Sequence, residues 1–67
     1  MSPRRLASVI KAKRKEKGLT RSGLARAAEV TPAYITQLET GVRKNPSLEI
    51  LKRLARALGV PVTELLE

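Results

Sequence analysis

The side chains this sequence offers for chemistry are hydrogen-bonding and cationic rather than nucleophilic or metal-binding. Its 67 residues contain no His, no Cys and no Asp, and its six acids are all Glu. Without His or Cys there is no ordinary zinc site and no disulfide. Ser-His-Asp, Cys-His and histidine acid–base chemistry are equally absent. The Glu residues are scattered, which sets up no carboxylate pair. This inventory argues against an enzyme, implies no metal and no cofactor, and leaves binding as the default. The candidate binding groups lie in two adjoining places. Ala33, Thr36, Gln37 and Thr40 recur at helical spacing on one side of a segment whose opposite side carries Ile35 and Leu38. Directly after them come Arg43, Lys44 and Asn45.

The first group is unusual for a surface. A plain solvated helix face carries Lys and Glu, whereas this one is uncharged, with small, hydroxyl and amide side chains. Such a face suits a DNA major groove, where base edges present donors, acceptors and the thymine methyl. On that reading Gln37 bridges N6 and N7 of an adenine, and Ala33 touches a thymine methyl. Arg43, Lys44 and Asn45 then stand where the phosphate backbone passes. Main-chain N–H groups near Thr20 and Arg21, at the start of the preceding helix, offer a further phosphate site.

The charge distribution points the same way. The formal net charge is +8; residues 1–34 carry nine Lys/Arg against two Glu, and residues 47–67 carry three of each. A basic front and a neutral back suit a polyanion on one side only. A membrane surface fits less well, because no helix sets a large Leu or aromatic face opposite its cations. No run is long enough to span a bilayer or form a signal peptide, so the expected location is cytoplasmic. RNA fits poorly with Tyr34 as the single aromatic.

The elements that must hold these groups are short helices. Ser2-Pro3 reads as an N-cap followed by Pro at the first helical position, and the helix runs to Gly18. Thr20 caps a second helix with Leu24, Ala25 and Ala28 inward, broken at Glu29-Val30. Thr31-Pro32 opens the third helix, which closes at Thr40-Gly41. Ser47 caps a fourth, with Leu48, Leu51, Leu54, Ala55 and Leu58 as its apolar stripe and Gly59 at its end. Residues 62–66 add a last turn. The expected fold is therefore all-α, a compact five-helix bundle forming one domain over residues 1–67.

The ordered set Gly18-Leu19-Thr20-Arg21-Ser22-Gly23-Leu24-Ala25, then Val30-Thr31-Pro32-Ala33-Tyr34-Ile35-Thr36-Gln37-Leu38-Glu39-Thr40-Gly41, resembles the helix-turn-helix of the phage lambda-repressor/Cro-like (XRE) family, with the motif at about 20–40. Asn45-Pro46-Ser47-Leu48-Glu49 and Ala57-Leu58-Gly59-Val60-Pro61-Val62-Thr63-Glu64-Leu65-Leu66 look like its later segments. The resemblance implies a small repressor or controller protein that binds duplex DNA, often as a homodimer on a palindromic operator. It places base-reading positions on Pro32, Ala33 and Gln37, with Pro32 standing where several phage repressors have a Gln. It places phosphate contacts on Arg21 and on the loop of Arg43 and Lys44. Thr31 combines capping with a possible phosphate contact, and Tyr34 either packs sideways or reaches a phosphate.

The resemblance also pairs Arg14 with Glu39. The residues agree, since each lies four positions from a buried side chain, Ile10 and Ile35 respectively, and would need a partner when desolvated. Two departures stand out. Glu29 occupies a turn position where relatives commonly have Gly, and Gly23 sits inside the second helix. Val62 and Leu66 are candidates for a dimer contact, unless they close the monomer's own core, as Leu65 is expected to. The competing reading is an antitoxin or coactivator-like interaction module on the same fold, with a toxin or polymerase as partner.

Overall fold

Four of the helices begin on a hydroxyl cap, and that punctuation fixes where the chain turns. In the computed structural model, which describes residues 2–66, the elements are α1 (Pro3–Glu16), α2 (Arg21–Ala28), α3 (Pro32–Glu39), α4 (Leu48–Leu58) and α5 (Thr63–Leu66). The caps are Ser2, Thr20, Thr31 and Ser47, each accepting a main-chain N–H three residues on, at 3.0, 2.9, 3.1 and 3.2 Å. Each satisfies a donor that the first helical turn leaves open, worth about 1 kcal/mol.

The helix ends are equally regular. Lys15, Arg26 and Arg56 carbonyls accept from Gly18, Glu29 and Gly59, and the next N–H reaches back five residues, from Leu19 to Arg14, Val30 to Ala25 and Val60 to Ala55. This pair of hydrogen bonds closes a helix around one residue in the left-handed region. Those residues have φ of 69°, 60° and 68°. Two are Gly and the third is Glu29.

Between these turns the helices bury one apolar cluster. Leu6 and Ile10 of α1, Leu24 of α2, Ile35 and Leu38 of α3, Leu54 and Leu58 of α4, and Leu65 of α5 lie within it. α2 packs against both α3 and α4, while α1 packs against α3 and α5. Ala25 and Ala28 form the inward face of α2 and are fully buried, so their small side chains bring α2 close to its neighbours. The two helices of the motif are thereby locked at a fixed angle, with the far side of α3 left open.

One apolar expectation is corrected. Leu48 is not part of the α4 stripe; it is 52% exposed. It is the first residue of α4, at the edge of the stripe, and Pro46 just before it is buried instead. Val62 is half-buried and packs against the core, while Leu66 remains 38% exposed. Among the described residues no helix is long and apolar enough to cross a membrane.

Glu29 stores strain that its two glycine counterparts avoid. A left-handed residue with a Cβ costs roughly 1–2 kcal/mol, partly offset by the greater unfolded-state freedom of Gly. Glu29→Gly is therefore expected to stabilise the fold by about 0.5–1 kcal/mol, read as a higher urea midpoint at unchanged slope. An unchanged or lower midpoint would show that Glu29 makes a compensating contact.

Candidate nucleic-acid interface

The position of α3 depends on a buried cluster at its C-terminal end. Arg14 Nε donates to Glu39 Oε2 at 2.6 Å and Arg14 Nη2 donates to Glu39 Oε1 at 3.1 Å. The same guanidinium donates from Nη1 to the Leu19 carbonyl at 2.8 Å. Arg21 Nε adds a third bond to the carboxylate, to Oε1 at 3.1 Å. The cluster thus joins α1, the turn before α2, the first residue of α2 and the last residue of α3. Glu39 needs a cationic partner, and Arg14 supplies two of its three bonds. Its side chain is wholly shielded from solvent, and it sits at the helix end where the dipole disfavours an anion. Burial pushes its carboxyl pKa up, but the hydrogen bonds from Arg14 and Arg21, reinforced by their charges, outweigh this and hold it below the ordinary value of 4.5. The hydrogen bond to Glu39 raises the Arg14 pKa, against the lowering effect of burial.

Sequence reasoning set Arg21 aside for a phosphate, and the structure gives it a second attachment. One edge is held by Glu39, yet the side chain is still 40% exposed. A guanidinium has five N–H groups, so Arg21 is oriented without being used up. It stands at the N-terminus of α2, beside main-chain N–H groups suited to an anion.

From this anchor the outward face of α3 follows. Thr31, Pro32 and Ala33 are exposed at its start, and Thr36 and Gln37 are half-exposed one turn later. Thr31 is the N-cap, so its hydroxyl oxygen is engaged by the Tyr34 N–H. The Thr36 hydroxyl donates to the Pro32 carbonyl at 3.2 Å, and that of Thr40 to the Thr36 carbonyl at 2.9 Å. Tyr34 is half-buried and packs against the core, and the Arg43 guanidinium lies over its ring with Cζ 4.7 Å from the centroid. Arg43 also donates from Nε to Gln37 Oε1 at 3.0 Å. Gln37, Arg43, Lys44 and Asn45 line one open groove of about 430 Å³.

The fold brings together groups that are distant in sequence. Arg4 at the start of α1 and Lys44 after α3 line a second groove, which sequence reasoning did not connect because 39 positions separate them. The Arg43–Gln37 bond was also missed; it depends on the path of a loop that local patterns do not encode. The exposed apolar residues Val42, at 71%, and Leu48 lie beside this loop.

The comparisons with known proteins bear on the family and the fold. The helix-turn-helix family model HTH_3 matches residues 10–65, and the chain belongs to this XRE-type family. It is 46% identical over 54 residues to the HTH-type transcriptional regulator DdrOP3 of Deinococcus deserti, covering 81% of this chain and 41% of that protein. It is 40% identical over 58 residues to the regulator SinR of Bacillus subtilis, covering 87% of this chain and 52% of SinR. The chain therefore spans about half the length, or less, of these relatives. The crystal structure of SinR in complex with DNA superposes with a TM-score of 0.88 at 37% identity, covering 92% of this chain and 98% of that one. The restriction-modification controller protein C.AhdI of Aeromonas hydrophila gives a TM-score of 0.89 at 30% identity, covering 94% of each chain. The fold and the relatives are those of DNA-binding transcription regulators and not of enzymes.

The cluster makes two expectations. Removing one member of a buried pair costs about 3–5 kcal/mol, against a total of roughly 3–10 kcal/mol for a domain of this size at about 0.05–0.15 kcal/mol per residue. Glu39→Ala is thus expected to leave the chain largely unfolded or barely stable in urea titration, and Arg21→Ala to cost far less, since Arg14 still pairs the carboxylate. Equal losses in the two variants would contradict this ranking. The pH dependence follows from the lowered Glu39 pKa. The unfolded carboxyl takes up a proton first, so the stabilisation is complete at neutral pH. It begins to fall as pH drops towards 4.5 and is gone below the lowered native value. Thermal melts from pH 7 to 2 test this, and a flat profile would contradict it.

Proposed function

We propose that this chain is a sequence-specific DNA-binding domain that regulates transcription, acting as one helix-turn-helix unit over residues 1–67 with α3 in the major groove. The observation that carries the reading is the outward face of α3, which is uncharged and hydrogen-bonding yet bounded by cations at both margins. Arg21 stands at one margin, and Arg43 and Lys44 at the other. Bases are read from Ala33, Thr36 and Gln37, with Pro32 contributing shape but no donor. Arg21, Lys44 and Asn45 contact phosphates, joined by Thr31 at the helix start. Tyr34 supports this edge from below rather than extending to the backbone.

The unit is a homodimer on a palindromic site, and its role is that of a small cytoplasmic repressor or controller. The backbone spans 24 Å at its longest and carries a single recognition helix, whereas successive faces of the major groove lie roughly 34 Å apart. One copy therefore covers one half-site. Leu66, 38% exposed, and the neighbouring Val62 supply apolar surface for a second copy, and the likeness to the restriction-modification controller protein C.AhdI favours the regulatory role.

Selection from a random duplex library tests this reading. The expected outcome is a palindrome with fixed half-site spacing. Gln37→Ala is expected to lose preference at one position per half-site, by about 1–3 kcal/mol. Arg21→Ala is expected to weaken all sequences alike and to reduce the salt slope by about 0.9, one phosphate's share. Enrichment of nothing, or one monomer per selected site, would contradict the proposal.

A further inference from the structure

Sequence reasoning gives Gln37 and Arg43 separate tasks, one on a base and one on a phosphate. The structure joins them. Arg43 Nε donates to Gln37 Oε1 at 3.0 Å, and the Arg43 main-chain N–H donates to the Gln37 carbonyl, also at 3.0 Å. The left-handed Gly41, with φ of 80°, makes the turn that brings the chain back over α3. The guanidinium rests on the Tyr34 ring, one helical turn from Gln37. Ring, guanidinium and amide form one layered unit, tied at main chain and side chain together.

This unit has a chemical polarity. Arginine carries donors only, so the amide atom facing it has to be the oxygen. A free glutamine turns its amide either way; this one is held. Its Nε2 is then left to face a ligand, beside the Arg43 N–H groups that Gln37 does not use. The combined edge is rich in donors. Guanine presents two major-groove acceptors, N7 and O6, whereas adenine presents an acceptor and a donor. Reading adenine with glutamine requires the amide oxygen to accept from N6; Arg43 takes one of its two lone pairs, and the guanidinium beside that edge sets donor against the adenine N6 donor while matching the two guanine acceptors.

We infer that Arg43 is a specificity-determining positioning residue: by holding Gln37 Oε1 from its seat on Tyr34, it makes Gln37 a reader of guanine instead of adenine. This role rests on α3 being the base-reading helix. It replaces the expected adenine bridge, and it gives Arg43 a function that a phosphate contact alone does not have.

The test measures binding of the full chain to the selected duplex with each of the four bases at the position where Gln37→Ala loses discrimination. Wild type is expected to prefer guanine over adenine by about tenfold. Arg43→Lys keeps the charge but loses the Nε donor and the planar stack. It is expected to reduce that preference to the level of Gln37→Ala while leaving the salt slope unchanged. Adding Arg43→Lys to Gln37→Ala is expected to change the preference no further. Arg43 and Gln37 are not core residues, and matched thermal melts would confirm that the variants fold. Equal weakening on all four bases with the guanine preference intact would overturn the positioning role while leaving base reading by α3 in place. A wild-type preference for adenine would overturn it too. If Gln37→Ala changes no preference at any position, the base-reading assignment of Gln37 fails and this role fails with it.

Discussion

The arrangement of this molecule depends on one shielded carboxylate. Glu39 lies at the unfavourable end of a helix dipole and out of reach of water, so it requires cationic partners, and two guanidinium groups converge on it. Those groups come from the last full turn of α1 and the first residue of α2. Satisfying one charge thus fixes three elements at once. Apolar packing is less directional: Leu and Ala side chains permit small slides of one helix on another, whereas a two-pronged Arg14 contact has one geometry. Such pairs add little net stability beyond an apolar cluster of equal volume. Their effect here is to hold the end of α3 and the start of α2 in register, and that register sets which side chains of α3 face outward.

The same cluster connects the core to the cationic margin. Arg21 is shared between the buried carboxylate and the surface, so its direction is set before any ligand arrives. Arg43 is treated similarly on another flank of α3, where Tyr34 and Gln37 seat it. Flexible cations normally lose rotamer freedom on binding, at about 0.5–1.5 kcal/mol per side chain. Here part of that loss is taken during folding. A chain with no disulfide and a single aromatic uses caps, short turns and these two seated arginines to achieve an ordered surface.

Much of this was legible in the sequence, because it is local. Ser2, Thr20, Thr31 and Ser47 announce the helix starts, and Gly18 and Gly59 two of the ends. The Arg14–Glu39 contact was accessible through the family resemblance, and the buried neighbour each residue flanks agreed that it would need a partner. Glu29 stood out because the family commonly has Gly at that turn, and its φ of 60° gives the reason. The exposure of Leu48 was not legible: helical periodicity puts it on the apolar side, and only the extent of the neighbouring elements leaves it uncovered. Arg21 read as a free phosphate ligand because its distance to Glu39 is set by tertiary packing. The Arg43–Gln37 bond was hidden for a related reason, since it requires the loop to fold back over α3. Local signals specified the helices and their inward faces; the bonds between elements carry the finer chemistry of the outward face.

On the proposed function, folding turns the polar side of α3 and its two seated cations into one DNA-facing surface. A titration of isotope-labelled protein with its selected duplex, followed by amide and side-chain NMR shifts, tests this most directly. The expected result is a contiguous set of changes over residues 31–37, at Arg21 and over residues 43–45. The Arg14 guanidinium signals should stay in place, because that group remains bonded to Glu39. Changes concentrated on the neutral C-terminal half with a quiet α3, or Arg14 released on binding, would contradict the account.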